Sequence, residues 1–241
     1  MKTCKEYRDT AWNTLSSHWN DAVVITLIMV VCACIGSGVG LWGTLAQLDA
    51  LSKFGTGTNF VVSILLVMPL GFAFAALLLG YVRQEQKEEG ALRIWLHAFL
   101  DNYTNYVVTG FLMYVVIVAI GVVTLGIGAI IFGFAYAMVP YLMKDHPEMS
   151  AKEILHTSRM MMRGHKWDLF VLVFSFIGWW LLCIVTCGIA LLWVGPYMNA
   201  AQAHFYEDLI NQQAVDMPQA TDDAPQTAPE VPQTAPKVPQ E

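Results

Sequence analysis

Side chains able to do chemistry inside an apolar setting gather on the last hydrophobic stretch of this chain, where Tyr197, Asn199, Gln202 and His204 follow in close succession. An ionisable residue buried in such a stretch is the mark of a proton relay, an ion site or a substrate path. His204 is the only Asp, Glu, Lys, Arg or His in the four long apolar runs of the sequence. A lone histidine near the end of a run reads as interfacial, because an ion-coupled pump carries more charge than this. The amides and hydroxyls beside it need partners in apolar surroundings. They are expected to face inward, toward Tyr136 and Tyr141, and a ligand cavity is expected there if anywhere.

Enzymatic constellations are missing from the rest of the chain. No His-Glu pair stands at metal spacing, no Gly-x-Ser-x-Gly elbow appears, and no Gly-rich loop ends in Lys-Ser or Lys-Thr. His146, His156 and His165 share a segment with Asp145 and Glu148, at spacings that match no ligand pattern. Cys4, Cys32, Cys34, Cys183 and Cys187 show no zinc spacing and read as small packing residues. The expectation is therefore no catalytic residue, no metal and no cofactor. The net charge of −6 comes without a basic run, which argues against nucleic acid as a partner.

Composition says where such residues must be held. Of 241 residues 56% are hydrophobic and only 13% charged, against about 25% charged in soluble domains, and mean hydropathy is +0.50. Ala22–Leu45 and Phe60–Tyr81 are each long enough to span a bilayer core once. Asn102–Met143 and Leu169–Tyr206 contain no Asp, Glu, Lys or Arg, and each would be about 60 Å as one helix, twice the core thickness. Each is expected to fold as a helical hairpin, turning at Thr124-Leu125-Gly126 and at Thr186-Cys187-Gly188. That makes six crossings. With the N-terminus inside, 12 of the 13 basic residues fall on the cytoplasmic side and only Lys53 outside, as the positive-inside rule asks.

The crossings repeat. Gly71-Phe72-Ala73-Phe74-Ala75 returns as Gly133-Phe134-Ala135-Tyr136-Ala137, and the same step of 62 reaches Gly195 (133 − 71 and 195 − 133). Pro69, Pro140 and Pro196 each interrupt the second crossing of a unit, freeing a carbonyl that a neighbour must satisfy. Small residues at Gly36 and Gly40, and at Ala129, Gly133 and Ala137, permit close helix contact.

Ahead of each hairpin lies an amphipathic segment. Ser150-Ala151-Lys152-Glu153 is a capping box, opening a helix whose apolar face is Ile154, Leu155, Ser158, Met161 and Met162. Leu92, Trp95, Leu96, Phe99, Leu100 and Tyr103 form a second stripe, and Cys4, Arg8, Ala11, Leu15 and Trp19 a weaker third. The fold class expected is all-α integral membrane: six transmembrane helices in three units, each a surface helix followed by a hairpin. The units are residues 1–81, 82–145 and 146–211 of one membrane domain, and 212–241 reads as a disordered, Pro- and Gln-rich cytoplasmic tail.

The third unit carries a resemblance. Met162-Arg163-Gly164-His165-Lys166-Trp167-Asp168-Leu169-Phe170, then Ser175 to Trp179, Thr186-Cys187-Gly188-Ile189, Trp193, Pro196-Tyr197 and Phe205 to Leu209 resemble the bacterial integral membrane family called domain of unknown function 975. The match is dense from Pro147 to Leu209 and looser before it. The resemblance implies a multi-pass bacterial membrane protein and brings no activity with it; the charge asymmetry is what puts both termini on the inner side of the cytoplasmic membrane. The reading that fits the residues is a non-enzymatic scaffold, accessory or lipid-associated protein. Its partners are expected to be membrane lipids, with a protein partner met through the cytoplasmic helices or the tail. The alternative is a small uncoupled permease or channel with a polar path along the last crossing.

Overall fold

The computed structural model describes residues 2–45, 59–85 and 90–216, with side chains described through 34 in the first stretch and through 212 in the last. All the regular elements described are helices. Lys53, the Gly36 and Gly40 pair and the tail from Pro218 onward lie outside the described residues or side chains.

Helix α1 (Cys4–Ser16) opens on a capping box, in which the Thr3 hydroxyl accepts from the Glu6 N–H and the Glu6 carboxylate accepts from the Thr3 N–H. It turns through 96° into α2 (Trp19–Leu45), so the amphipathic segment lies across the apolar one. Tyr7, Ala11 and Leu15 form the buried face of α1. Tyr7 belongs on that face although the sequence pattern put Arg8 there.

Helix α3 (Asn59–Val82) is the centre of the molecule: every residue from Phe72 to Tyr81 is buried. It contains a π-helical turn, Ser63–Val67, just ahead of Pro69. That turn absorbs the ring, and the carbonyl four residues back, on Leu65, accepts a hydrogen bond of 2.9 Å from the Tyr103 hydroxyl.

Helix α4 (Ala91–Asp101) packs along α3, with the Trp95 indole N–H donating to the Leu70 carbonyl at 3.2 Å. Only Ala91 and Trp95 of this helix are buried. Leu92, Leu96 and Leu100 are exposed, so the stripe read from the sequence does not all pack inward. The stripe is wider than the strip of α3 it meets, and the indole bond fixes which edge turns in.

Helices α5 (Tyr103–Val123) and α6 (Ile127–Ala135) form the first expected hairpin. After a break at Tyr136, α7 (Val139–Asp145) continues upward with Pro140 in its first turn. Helix α8 (Ala151–Met161) opens on the expected Ser150–Glu153 box and buries Ile154, Leu155, Ser158 and Met161. Its Ser158 hydroxyl donates at 2.9 Å to the Ala135 carbonyl, at the break ahead of Pro140. Helices α9 (Lys166–Phe174) and α10 (Ile177–Val185) meet at a 40° bend, and α11 (Leu191–Asp216) completes the second hairpin with Pro196 inside it.

The two hairpin turns are built alike. Thr124 donates to the Ile120 carbonyl at 2.6 Å and accepts from the Gly128 N–H at 2.8 Å; Leu125 and Gly126 take φ of 52° and 91°. Sixty-two positions on (186 − 124), Thr186 donates to Leu182 at 2.8 Å and accepts from Ala190 at 3.1 Å, with Cys187 and Gly188 at 50° and 89°. A threonine that closes the turn from both sides, followed by two left-handed residues, ends one helix and starts the next.

Asn59–Val82, Tyr103–Val123 and Ile127–Asp145 are long and apolar enough to cross a membrane, and two bent pairs raise the number to five among the described residues. Helix α11 is outside that set, although its 26 residues are long enough. It carries Asn199, Gln202, His204, Glu207 and Asp208. The hairpin tips are strongly apolar and bare: Val123 is 84% exposed, Leu125 93% and Val185 79%.

Candidate functional site

Helix α11 positions the polar residues singled out above, and their places around it turn them toward different neighbours. Tyr197 points toward α1 and the α9–α10 bend, with ring centroids 5.8 Å from Trp12, 5.1 Å from Phe176 and 5.9 Å from Trp179. His204 is buried against α1, its Nε2 2.9 Å from the Thr14 hydroxyl. That hydroxyl also donates to the Thr10 carbonyl at 3.0 Å, so its proton is committed and the imidazole serves as the donor. The pair is a clasp between helices and holds no activated nucleophile.

Asn199 bonds within its own helix. Its side-chain amide donates to the Gly195 carbonyl at 2.9 Å, while its main-chain carbonyl accepts from the Tyr141 hydroxyl of α7 at 3.0 Å. Gln202 is half-buried and makes no hydrogen bond among the described residues. The Tyr136 ring is buried and lies 5.9 Å from that of Phe132 on α6, with no hydrogen bond to this face among the described residues. The six residues therefore do not converge on one space. A cavity of about 220 Å³ opens elsewhere, between α3, α4 and α5, floored by Ala76, Leu77, Ile94 and Ala98, with Glu85, Asn102 and Lys144 at its mouth. None of the six lines it.

The repeat glycines sit in unlike surroundings. A Cβ at Gly71 would meet Met29 at 3.7 Å and one at Gly195 would meet Thr26 at 3.7 Å, both on α2, whereas one at Gly133 would meet nothing within 4 Å. Close contact at Gly133, expected from its small-residue stripe, is absent because that side of α6 is exposed.

Sequence reasoning missed the strongest polar cluster. Arg83, just past the end of α3, binds Asp145 through two hydrogen bonds of 2.6 and 2.8 Å and Glu207 through a third of 2.6 Å. The Tyr206 hydroxyl donates to the same Asp145 at 2.8 Å. Hydrogen bonds from Asp145 first, and then Glu207, push the guanidinium pKa upward against the opposing effect of burial. The three residues stand 62 apart (145 − 83 and 207 − 145). The signal was thus present in the same step that relates Gly71, Gly133 and Gly195. Around the triad, Lys144 pairs with Glu85 at 2.8 Å, and Lys2 and the Tyr7 hydroxyl both reach Asp208, at 3.1 and 2.8 Å. Residues from both ends of the described chain thus meet at one end of the bundle.

No group of three or more His, Cys, Asp or Glu side chains among the described residues is placed to hold a metal ion. Of the cysteines, Cys183 is buried and Cys34 and Cys187 are exposed.

No curated protein matches the chain, and no solved structure matches it. Residues 91–213, just over half of the sequence, match the profile of a family described as "Protein of unknown function (DUF975)". That span takes in α4 through most of α11, with the Asp145 and Glu207 arms of the triad, both hairpin turns and the polar face of the last helix. The chain belongs to the DUF975 family.

Proposed function

We propose that this is a non-enzymatic membrane protein of six crossings, arranged as three repeated units around a pseudo-threefold axis. In this reading it lies in a bacterial cytoplasmic membrane with both termini and the three surface helices inside, and serves as a scaffold, accessory or lipid-associated protein. The observation that carries the reading is how the polar groups of α11 are used. Asn199, His204 and Tyr141 are bonded within the protein, Tyr197 is boxed by aromatic rings, and the bare surface at the hairpin tips is apolar. Such tips are poorly suited to water, and such bonds leave little for a solute path.

The threefold reading draws on two sets of contacts. Each surface helix docks on the helix that closes the unit before it: α4 on α3 through Trp95, α8 on α6 through Ser158, and α1 on α11 through Tyr7. At one end of the bundle three positions on the same 62-residue step meet, Arg83 bonding to both Asp145 and Glu207.

Two measurements test the proposal. In a chain lacking its native cysteines, Gly55→Cys and Glu148→Cys should be labelled from opposite faces of the membrane by an impermeant thiol reagent; labelling from one face overturns the crossing count. Asn199→Leu should lower melting in detergent by a degree or two, since hydrogen bonds within membrane bundles average about 0.6 kcal/mol, and should leave solute flux into liposomes unchanged. Unaltered melting with a loss of flux would favour the permease.

A further inference from the structure

We propose that the face shared by α6, α8, α9 and α10 binds one anionic phospholipid, with its phosphate between Arg159 and Lys166 and an acyl chain in the groove beside them. This deepens the lipid-associated reading above and rests on it.

Both cations stand near one aromatic ring. The Arg159 guanidinium carbon stands 5.2 Å over the centre of the Phe132 ring and the Lys166 Nζ 6.0 Å over the same ring. Neither forms an ion pair among the described residues. The carboxylates on these helices have other contacts: Asp168 lies 3.3 Å from the His165 Nδ1, and Glu153 closes the capping box of α8. Two cations gathered over one ring without a counter-ion make a place for an anion.

An apolar groove of about 180 Å³ lies along α9 and α10 beyond Lys166, lined by Phe134, Phe170, Val173, Phe174, Ile177 and Trp180. The 40° bend between α9 and α10 gives it room. Stacked rings lead into it from the charged end, Trp167 to Phe170 at 5.1 Å and Phe170 to Phe174 at 5.9 Å, and Trp167 is 69% exposed at the entrance. Along the helices, Lys166 to Trp180 is about 21 Å, more than half the thickness of a hydrocarbon core. Charge at one end and an aromatic channel of one leaflet's depth match a lipid with an anionic headgroup. They do not match a neutral lipid, which has no use for the cations, or a free anion, which has no use for the groove.

The test uses the full chain purified in detergent, with bound lipid counted by native mass spectrometry. One phosphatidylglycerol should be retained about tenfold better than phosphatidylcholine of the same chains. Arg159→Gln with Lys166→Gln should bring retention down to the phosphatidylcholine level without moving the melting temperature, because both side chains reach the surface. Val173→Trp, which fills the groove, should lower retention of both lipids. Equal retention of the two lipids, or selectivity surviving in the double variant, overturns the proposal. Displacement of phosphatidylglycerol by an equal concentration of inorganic phosphate overturns it too, by assigning the site to free anions. Extraction of the protein from membranes by alkaline carbonate would instead sink the membrane reading. Lost selectivity in a chain that resists extraction sinks this proposal alone.

Discussion

The Tyr103 hydroxyl stands 2.9 Å from the Leu65 carbonyl, the oxygen that Pro69 leaves without its helical donor. A proline in an apolar helix was reason enough to expect such a partner, but its identity could not be read from spacing. It depends on the π-helical turn at Ser63–Val67, which sets the direction of the freed carbonyl. The same limit applies at Ala135, whose carbonyl is met by Ser158 from a different unit. Tyr103→Phe should cost about 0.6–1.7 kcal/mol, the range for hydrogen bonds inside membrane bundles, and so lower melting in detergent by a few degrees. An unchanged melting curve would mean that water or lipid headgroups replace the phenol. Tyr141 reaches α11 through the main-chain carbonyl of Asn199, whereas the Tyr136 ring, also buried, lies against Phe132, a difference that residue type and spacing do not reveal.

Helix ends were the most legible elements. The strings Val-Thr-Leu-Gly-Ile and Val-Thr-Cys-Gly-Ile mark both turns, and the structure shows why: the threonine hydroxyl bridges the two helices and the glycine holds φ near 90°. Gly126→Ala and Gly188→Ala should each destabilise the protein by about 1–2 kcal/mol, since a Cβ is unwelcome in that conformation. Leu125→Gly should relieve about 1 kcal/mol, because a leucine is held there at φ of 52°. Calorimetry of the three variants checks both signs. The capping box of α8 was equally plain, while the matching Thr3–Glu6 box of α1 was passed over for want of a clean apolar face behind it. The breaks at Tyr136 and Ser175 were illegible. No Gly or Pro stands at either position, and their carbonyls are bonded by distant side chains, Ala135 by Ser158 and Ser175 by Arg8.

At the scale of the whole molecule, three charges spaced 62 residues apart close one end of the bundle. Arg83, Asp145 and Glu207 lie on a step already visible in the glycines, yet a charge outside the long apolar runs reads in sequence only as a topology marker, so their convergence is not legible there. If the three positions are interchangeable, the arginine need not stand at 83. Arg83→Asp should destabilise the protein by about 2 kcal/mol or more, because it leaves three carboxylates facing one another in a partly buried site. Adding Asp145→Arg to that variant should recover most of the loss in a thermal melt. A double variant no better than the single one would show that the triad is a local pair with a bystander.

The contact between α1 and α11 also separates two events in time during synthesis. Tyr7 and Asp208 bond across 201 positions of sequence, so α1 is made well before the helix it packs against. At about 5–20 residues per second that wait is roughly 10–40 s. Through this interval Ala11 and Leu15, fully covered in the finished molecule, have no α11 to cover them. A chain truncated ahead of α11 should therefore be cut faster near α1 than the full chain, which limited proteolysis checks.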